Sequence, residues 1–210
     1  MIPKKTAARR RFDRWARSYE HDRRSRFNAK PQQQALETLG LQAEDRFLDV
    51  GCGTGAAVRA AAAVAERAVG VDIAPRMIER ATELAVDLPN AEFVVGDSEE
   101  LPFAGGEFTA ALCTASLHHY PHPRQALAEI GRVLGAGGRL ALADGTRDRA
   151  LARIADRMLR VFDRSHVRLY RTDELVAMLE DAGFDVVAVE HLWDGGFAVL
   201  RAVNRGAAGR

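Results

Sequence analysis

Hydrophobic and polar positions along residues 46–144 predict buried strands that alternate with amphipathic helices. Short apolar runs bounded by glycine or polar residues are typical of buried strands. Five such runs are RFLDV (46–50), AVGVD (68–72), AEFVV (91–95), FTAALCT (108–114) and GRLALAD (138–144). Helical segments are expected between them, over 56–66, 75–86 and 123–134. Strands that alternate with helices of this length predict βαβ units and a parallel sheet.

The C-terminal part of the chain predicts two more helices and a hairpin. The helices are expected over about 148–162 and 172–182. The strands FDVVAVEHL and FAVLRAV follow them, joined by the tight-turn sequence Trp193-Asp194-Gly195-Gly196. Hairpin strands are antiparallel, so the predicted sheet is mixed, and right-handed crossovers place its helices on both faces.

The N-terminal part shows an apolar stripe at helical spacing. Phe12, Trp15, Ala16 and Tyr19 recur at i, i+3, i+4 and i+7, with arginines around them. This pattern predicts a helix over about 11–29.

Two further features set the predicted boundaries. The first ten residues resemble a frayed basic tail, and Pro31 is expected to open a second helix over 31–40. The predicted organisation is a basic helical cap over 1–40, one domain over 41–204 and a flexible tail over 205–210.

Composition and charge support one folded domain with a basic arm. The 210 residues fit a single domain that buries enough surface to fold without disulfides or metal. Residues 1–30 hold 11 Lys and Arg against 3 Asp and Glu, although the net charge of the whole chain is only +1. A basic arm on an acidic body is compatible with nucleic acid, an anionic membrane or a solvated helix.

The lack of targeting signals and the small number of cysteines indicate a cytoplasmic protein. The sequence contains neither a run of about 18 apolar residues nor a basic segment leading into an apolar one, so neither a transmembrane helix nor a secretory signal is expected. Cys52 and Cys113 are too few for a disulfide framework or a zinc site.

The first predicted strand runs into the glycine-rich loop Asp49-Val50-Gly51-Cys52-Gly53-Thr54-Gly55. In open α/β sheets, ligands bind outside the carboxyl ends of the strands. Asp72 ends the second strand 21 residues after Gly51, where an acid can accept both hydroxyls of a ribose. The pattern also fits a dinucleotide site, and a structural glycine turn with a surface aspartate is a further alternative.

Two aspartates favour an adenosyl ligand over a dinucleotide. Asp49 precedes the glycines, where its charge would repel a pyrophosphate but suits an amino group. Asp97 follows the third strand, where it can accept a hydrogen bond from an adenine amine. The Tyr-x-x-x-Lys dyad of short-chain dehydrogenases is absent, since Tyr19, Tyr120 and Tyr170 all lack the lysine.

Five segments, taken in order, resemble a known family. They are LDVGCGTG (48–55), VGVDIAPRMI (69–78), FVVGDSEELPF (93–103), SLHHYPHPRQALAEIGRVLGAGGRLALAD (116–144) and ELVAMLEDAGF (174–184). Together they resemble class I S-adenosylmethionine-dependent methyltransferases, in the small-molecule group that includes ubiquinone- and menaquinone-biosynthesis-type enzymes. The resemblance covers about 45–200. It implies an α/β, Rossmann-like, doubly wound, seven-stranded mixed sheet of order 3-2-1-4-5-7-6, with the last strand antiparallel and helices on both faces.

The resemblance also implies the cofactor, S-adenosylmethionine, the product, S-adenosylhomocysteine, and the residues that bind them. Asp72 is expected at the ribose hydroxyls and Asp97 with Ser98 at the adenine edge, while Asp49 lies at the methionine part. The full set is Asp49, Gly51, Cys52, Gly53, Asp72, Ile73, Met77, Asp97, Ser98, Cys113 and Thr114.

Methyl transfer is an in-line displacement, and it needs a base only where the acceptor must lose a proton. His119 and His118 follow the fourth strand and are candidate bases, with His119 preferred; packing beneath the loop is the alternative. A metal is not expected, because adjacent residues rarely share a face and no acid completes a site. Both cysteines fit small buried thiols.

Candidate acceptor-binding residues come from two segments. Trp15 and Tyr19 belong either to an ordinary packed helix or to a lid that excludes water and touches the acceptor. Tyr19 is also a candidate for the methyl-transfer region. His166, Arg168 and Tyr170 can hold a polar acceptor or belong to a solvated basic loop.

The predicted function is S-adenosylmethionine-dependent methyl transfer to the O, N or C atom of a small molecule, by a monomer or homodimer. The alternatives are an adenosyl-binding protein without transfer activity, a methyltransferase acting on RNA or protein, and an NAD(P)-dependent oxidoreductase. Nucleic acid is disfavoured because phosphate contacts need a basic face and the body is acidic. In addition, Thr114-Ala115-Ser116-Leu117 stands where base-methylating enzymes carry an Asn/Asp-Pro-Pro-Tyr segment.

Overall fold

Seven strands form one mixed sheet in a computed structural model that describes residues 4–163 and 165–206, apart from the side chain of Arg24. The strands are β1 (Arg46–Val50), β2 (Arg67–Asp72), β3 (Ala91–Val95), β4 (Phe108–Thr114), β5 (Leu134–Gly145), β6 (Phe184–Leu192) and β7 (Phe197–Asn204). Their order across the sheet is β3-β2-β1-β4-β5-β7-β6. Strands β1 to β5 pair in parallel, and β7 runs antiparallel to both β5 and β6. The predicted fold class, strand order and antiparallel last strand are confirmed.

The described residues also form helices, which pack on both faces of this sheet. They are α1 (Lys4–Trp15), α2 (Arg23–Leu39), α3 (Ala56–Ala62), α4 (Pro75–Leu84), α5 (Pro123–Val133), α6 (Ala150–Phe162) and α7 (Thr172–Asp181). Short 3-10 turns lie at Tyr19–His21, Leu117–His119 and Trp193–Gly195. The last of these joins β6 to β7, where the sequence predicts the hairpin turn.

Alternate side chains of the strands build one core on each face, because successive residues of a strand point to opposite sides. Leu48 of β1 shares a core with Ile130 of α5, and α7 covers the same face. Phe47, the neighbour of Leu48, shares the opposite core with Leu39 of α2, and α3 covers that face. Each such fully buried side chain contributes about 1.5–3 kcal/mol of hydrophobic stabilisation.

The N-terminal prediction is wrong in two respects. The frayed tail expected over 1–10 is helical from Lys4 onward, and residues 1–3 lie outside the described part of the chain. The single helix expected over 11–29 is interrupted after Trp15 and resumes at Arg23. Tertiary contacts explain the early start, since Ala8 is buried and the first turn of α1 bonds to the body of the protein.

Pro31 lies inside α2 rather than opening a new helix. Proline costs a backbone hydrogen bond within a helix, so another interaction must hold α2 together at this point. Pro31, Ala35 and Leu39 are all buried at intervals of four residues, on one face of the helix. The packing of that face on the sheet outweighs the local preference of proline for a helix start.

Other boundaries differ from the predictions by a few residues. Strand β5 begins at Leu134, directly after α5, rather than at Gly138. In the expected C-terminal tail, the backbone N–H of Arg205 donates to the carbonyl of Gly183 at 3.0 Å, and residues 207–210 lie outside the described part. Among the described residues, no helix is both long enough and apolar enough to cross a membrane.

Candidate active site

A cavity with about 730 Å³ of empty space opens at the carboxyl ends of β1, β2 and β4. Side chains and backbone from the loops after these strands form one wall, and α1 with the turn that follows it forms the other. Eight of the predicted cofactor residues line it: Gly51, Gly53, Asp72, Ile73, Met77, Asp97, Ser98 and Thr114. Tyr19 and His119 line it as well.

The glycine loop passes so close to its neighbours that Gly51 admits no side chain. Its backbone has a φ of +81°, in the left-handed region that favours glycine. A Cβ added there would lie 2.7 Å from Cβ of Ser116 and 2.9 Å from the hydroxyl of Tyr120. The loop therefore exposes its backbone directly to the cavity, as a binding loop must.

Asp49 lies at the start of this loop and is buried without a partner. Its side chain is fully buried, and neither carboxylate oxygen has a hydrogen bond within the described part of the protein. Burial, with the nearby Asp72 carboxylate, raises the pKa of Asp49 to about 8. A buried acid in this condition is costly, and a positively charged partner would relieve the cost.

Asp72 lies at the end of β2 and is held by the backbone. One carboxylate oxygen accepts from the N–H of Gly53 at 3.0 Å, and the other accepts from the N–H of Ala74 at 2.9 Å. Burial raises the pKa of Asp72 to about 6, against these two hydrogen bonds. Each oxygen retains a lone pair for a further donor, such as a ribose hydroxyl.

The expected adenine end of the cavity is covered by α1. Asp97 accepts from the N–H of Glu99 at 2.9 Å, which fixes its carboxylate. Lys5 of α1 pairs with Asp97 at 2.6 Å and with Glu99 at 2.5 Å. An adenine amine would therefore share Asp97 with Lys5 or displace it.

The two cysteines differ in position. Cys52 lines a second cavity with about 750 Å³ of empty space, which α2 and the glycine loop enclose. Cys113 is fully buried, and its sulfur lies 3.2 Å from the hydroxyl of Ser116. Burial raises the pKa of Cys113 to about 12, so this thiol stays protonated and is a poor nucleophile.

Tyr19 lies between the two cavities and lines both, as does Thr114. Its ring packs edge-on against Trp15, at 4.8 Å between centroids, and it covers Gly53. Burial, together with the carboxylates of Asp72 and Asp49, raises the pKa of Tyr19 to about 12. The phenol is therefore a hydrogen-bond donor rather than a base at neutral pH.

The two histidines after β4 lie in a 3-10 turn with different partners. Nδ1 of His119 donates to the carbonyl of Ser165 at 2.9 Å, and its ring meets Phe12 edge-on at 5.2 Å between centroids. Burial and the neighbouring His118 ring lower the pKa of His119 well below its usual value, so it is neutral near pH 7. His118 bonds through Nδ1 to Asp144 at 2.6 Å.

The three candidates in the segment after α6 separate in the structure. His166 is buried and lies beside the histidine pair, 5.5 Å from His118 between ring centroids. Arg168 turns away, pairs with Glu174 of α7 and stacks on the ring of Tyr170. Tyr170 belongs to the core under α7. Of the three, only His166 lies next to groups that line the cavity.

Sequence reasoning missed several residues at the site, and those that follow or end a strand had a signal. Ser116 and Tyr120 follow β4, and their hydroxyls lie 3.0 Å apart against the glycine loop. Asp144 lies near the end of β5, as Asp49 and Asp72 lie near the ends of β1 and β2, so the same rule identifies it. Gln32 faces Thr114 at 3.3 Å from within α2.

Comparisons with known proteins agree with this geometry. A family model described as a methyltransferase domain matches residues 48–142. The uncharacterized methyltransferase YcgJ of Bacillus subtilis is 33% identical over 147 residues, which are 68% of this chain and 58% of YcgJ. This chain thus spans less than two thirds of that relative. The crystal structure of YcgJ matches with a TM-score of 0.74 at 22% identity, over 85% of this chain and 99% of that chain.

The match covers a larger share of two further relatives. A demethylmenaquinone methyltransferase of Tropheryma whipplei is 29% identical over 189 residues, which are 81% of this chain and 79% of the relative. The O-methyltransferase rstn1 of Aspergillus nomiae is 33% identical over 168 residues, which are 75% of this chain and 72% of the relative. Together with the strand order and the glycine loop, these matches identify the chain as a member of the class I S-adenosylmethionine-dependent methyltransferases.

Proposed function

We propose that this methyltransferase moves the methyl group of S-adenosylmethionine to a hydroxyl group of a small molecule. The observation that carries the cofactor assignment is Asp49, a buried carboxyl without a hydrogen-bond partner beside a glycine loop. The α-ammonium of S-adenosylmethionine has the charge and the donors that Asp49 lacks. Neither NAD nor NADP offers such a group, since their pyrophosphate would be repelled at this point.

Asp49 lies buried behind the glycine loop, and residues that line the cavity fit the remaining parts of the cofactor. Asp72 keeps acceptor capacity for the two ribose hydroxyls, while Ile73 and Met77 offer apolar surface for adenine. Asp97 and Ser98 lie where the adenine edge is expected. The complete proposed set, in which Cys113 contributes through its neighbours, is Asp49, Gly51, Cys52, Gly53, Asp72, Ile73, Met77, Asp97, Ser98, Cys113 and Thr114.

The protein contributes to methyl transfer mainly by alignment and by excluding water. S-adenosylmethionine supplies an electrophilic methyl group on its sulfonium when it is bound. Alignment of a nucleophile with such a group can contribute roughly 7–11 kcal/mol to lowering the barrier. Phe12 and Tyr19 cover the cavity from the N-terminal cap, and Tyr19 can donate a hydrogen bond to the acceptor.

A hydroxyl acceptor must also lose its proton as the new O–C bond forms and the C–S bond breaks. His119 is the neutral imidazole at the cavity, and its Nε2 carries a lone pair because Nδ1 donates to Ser165. His119 serves this step either by taking the proton on Nε2 or by holding a cation that acidifies the hydroxyl. His118, the neighbour of His119, is held in place by its hydrogen bond to Asp144.

The names of relatives support the proposed class of acceptor, but they do not identify an individual compound. The rstn1 protein is named an O-methyltransferase, which supports an oxygen acceptor, whereas the name of the Tropheryma protein, demethylmenaquinone methyltransferase, supports only a small-molecule acceptor. The two free cysteines, both buried, further support our proposal that the protein works in a reducing cytoplasm.

Binding and turnover test the proposal separately. Calorimetry should show one site for S-adenosylhomocysteine. Asp72→Asn should weaken this binding at least tenfold, because one of the two oxygens that accept from the ribose hydroxyls becomes an amide group that can only donate. Asp87→Asn, a change at an exposed carboxylate outside the cavity, is the matched control. Labelled S-adenosylmethionine incubated with a panel of hydroxylated aromatic and polyketide compounds should yield labelled ether. Equal binding by the Asp72 variant would refute the assigned site, and labelled amine products only would refute the hydroxyl acceptor.

A further inference from the structure

Three histidines from two distant segments meet beside the cavity. His118 and His119 come from the turn after β4, and His166 comes from the segment that follows α6. The ring centroids are 4.0 Å apart for His118 and His119, and 5.5 and 6.3 Å from these two to His166. One ring nitrogen from each lies within 4.8 Å of those of the other two.

Each of these rings uses one nitrogen to donate a hydrogen bond to a group that can only accept. His118 donates to the carboxylate of Asp144 at 2.6 Å, and His119 donates to the carbonyl of Ser165 at 2.9 Å. His166 donates through Nε2 to the carboxylate of Asp156 at 2.8 Å. These bonds fix the tautomers, because a carbonyl or carboxylate oxygen needs the ring N–H.

The fixed tautomers leave one lone pair on each of the three neighbouring rings. These lone pairs belong to Nε2 of His118, Nε2 of His119 and Nδ1 of His166. Metal-binding histidines almost always donate their other ring N–H to a carboxylate or a backbone carbonyl, as all three do. No described residue donates a hydrogen bond to any of these three nitrogens, so each can bind a cation.

The surroundings favour a cation. The Asp144 carboxylate also accepts from the backbone N–H groups of His118 and Gly145, and Asp156 accepts from that of Leu169, so both are anchored. Asp144 behind the His118 ring offsets part of the charge of a divalent ion, whereas Asp156 behind the His166 ring already shares its charge with Arg160. Among the described cations nearby, Arg160 pairs with Asp156, Arg11 pairs with Asp163, and Lys4 donates to the carbonyl of His166.

We propose that His118, His119 and His166 bind a divalent transition-metal ion of the zinc class. Three imidazoles suit zinc, copper, iron and nickel rather than magnesium or calcium. A tetrahedral site with metal–nitrogen distances of about 2.0 Å places the ligand nitrogens roughly 3.3 Å apart, so the rings must close by about 1 Å or somewhat more. The fourth position stays open, as it does in catalytic zinc sites.

The open position gives this site a role that rests on the proposed function. His119 lines the cavity, so the fourth position of the ion is reached from the side where the acceptor binds. A hydroxyl oxygen that coordinates the ion there loses its proton to solvent more readily, because a metal acidifies bound oxygen. The resulting alkoxide or phenoxide is the nucleophile, and the histidines then hold the ion instead of taking the proton.

The sequence argument against a metal depended on the lack of an acid to complete the site and on the adjacency of His118 and His119. The third ligand is His166, which the sequence places 47 residues after His119 and the fold places beside it. A 3-10 turn, unlike a strand, lets adjacent side chains approach one another, and the two rings here lie 4.0 Å apart.

Cobalt binding tests the site without any need for activity. The purified protein, stripped with a chelator and then titrated with Co²⁺, should bind one equivalent and develop the intense visible absorption of tetrahedral cobalt. His166→Gln should abolish that absorption and weaken binding at least tenfold. Asp144→Asn, which keeps all three ligands but removes the carboxylate behind His118, should weaken binding about 10–100-fold. His122→Gln, at an exposed histidine near the turn, is the matched control and should bind normally.

Binding of S-adenosylhomocysteine to the same samples separates the two proposals and reports whether each variant is folded. Cobalt binding that is absent in a protein that still binds S-adenosylhomocysteine overturns the metal site and leaves the methyltransferase proposal in place. Equal cobalt binding by His166→Gln and the unaltered chain overturns the site as well. Cobalt binding without S-adenosylhomocysteine binding supports the site while the proposed cofactor assignment fails.

Discussion

Replacing Asp49 by asparagine should stabilise the fold and weaken cofactor binding at the same time. Asp49 is fully buried and unpartnered, and burial beside Asp72 raises its pKa to about 8. In the unfolded chain the same carboxyl has an ordinary pKa near 4. The unfolded state therefore releases the proton first, and stability is full below about pH 4 and falls as the pH rises to about 8.

The size of this effect follows from the pKa difference. About 3 pH units separate the ordinary value from pH 7, and each unit corresponds to about 1.4 kcal/mol, so the unaltered chain loses about 4 kcal/mol. Asparagine avoids that loss but leaves a buried amide without partners, at a cost of about 1–3 kcal/mol. The net gain of about 1–3 kcal/mol should raise the Tm by roughly 2–12 °C for a chain of this size.

Binding should change in the opposite direction. A hydrogen bond between a charged ammonium and a carboxylate contributes about 1.5–3 kcal/mol, so Asp49→Asn should weaken S-adenosylhomocysteine binding roughly 10–100-fold. Thermal denaturation between pH 5 and 8 and calorimetry at pH 7.5 give the two quantities, with Asp87→Asn as the control. A lower Tm for Asp49→Asn at pH 7 would show that the carboxyl has a stabilising partner and refute the reasoning.

Three further outcomes are expected. Gly51→Ala should lower the Tm by several degrees more than Gly137→Ala. Both glycines have a positive φ, but only at Gly51 would the new Cβ lie 2.7 Å from Ser116. Equal losses of Tm would show that the loop can shift. The affinity for S-adenosylhomocysteine should increase about tenfold from pH 6 to pH 7, because Asp49 must lose its proton to pair with the ligand and loses it more easily at higher pH. Binding at pH 7 should release about 0.9 proton, which calorimetry in buffers of different ionisation enthalpy measures. Removal of residues 1–22 should reduce turnover at least tenfold more than cofactor affinity, and unchanged turnover would limit the cap to a structural role.

Local patterns predicted the sheet, and they singled out the glycine loop and the aspartates at strand ends as a candidate site. Gly51, Asp49 and Asp72 are recognisable because a strand, a sharp turn and an acid at a strand end follow one another within a short stretch of sequence. The fold then brings the carboxyl ends of parallel strands to one edge, so their neighbourhood follows from topology alone.

Contacts between distant segments could not be predicted in the same way. The pairing of Lys5 with Asp97 spans 92 residues, and no local pattern reports it. Helix α2 continues past Pro31 because it packs against the sheet, and this packing overrides the preference of proline for the first turn of a helix. His166 reaches the histidine pair only because α6 returns the chain to the end of β4.

The position of β7 has a consequence for the order in which the chain can assemble. Strand β6 lies at the sheet edge and pairs with β7, whereas β7 pairs on its other side with β5. Although β6 precedes β7 along the chain, it joins the sheet through β7, so a nascent chain that ends before residue 197 has no place for it. Leu39 of α2 shares its core with Val199, so a helix near the start of the chain also gains part of its packing last. Strands β1 to β4 can pair before either event, and the glycine loop can therefore form ahead of the finished sheet.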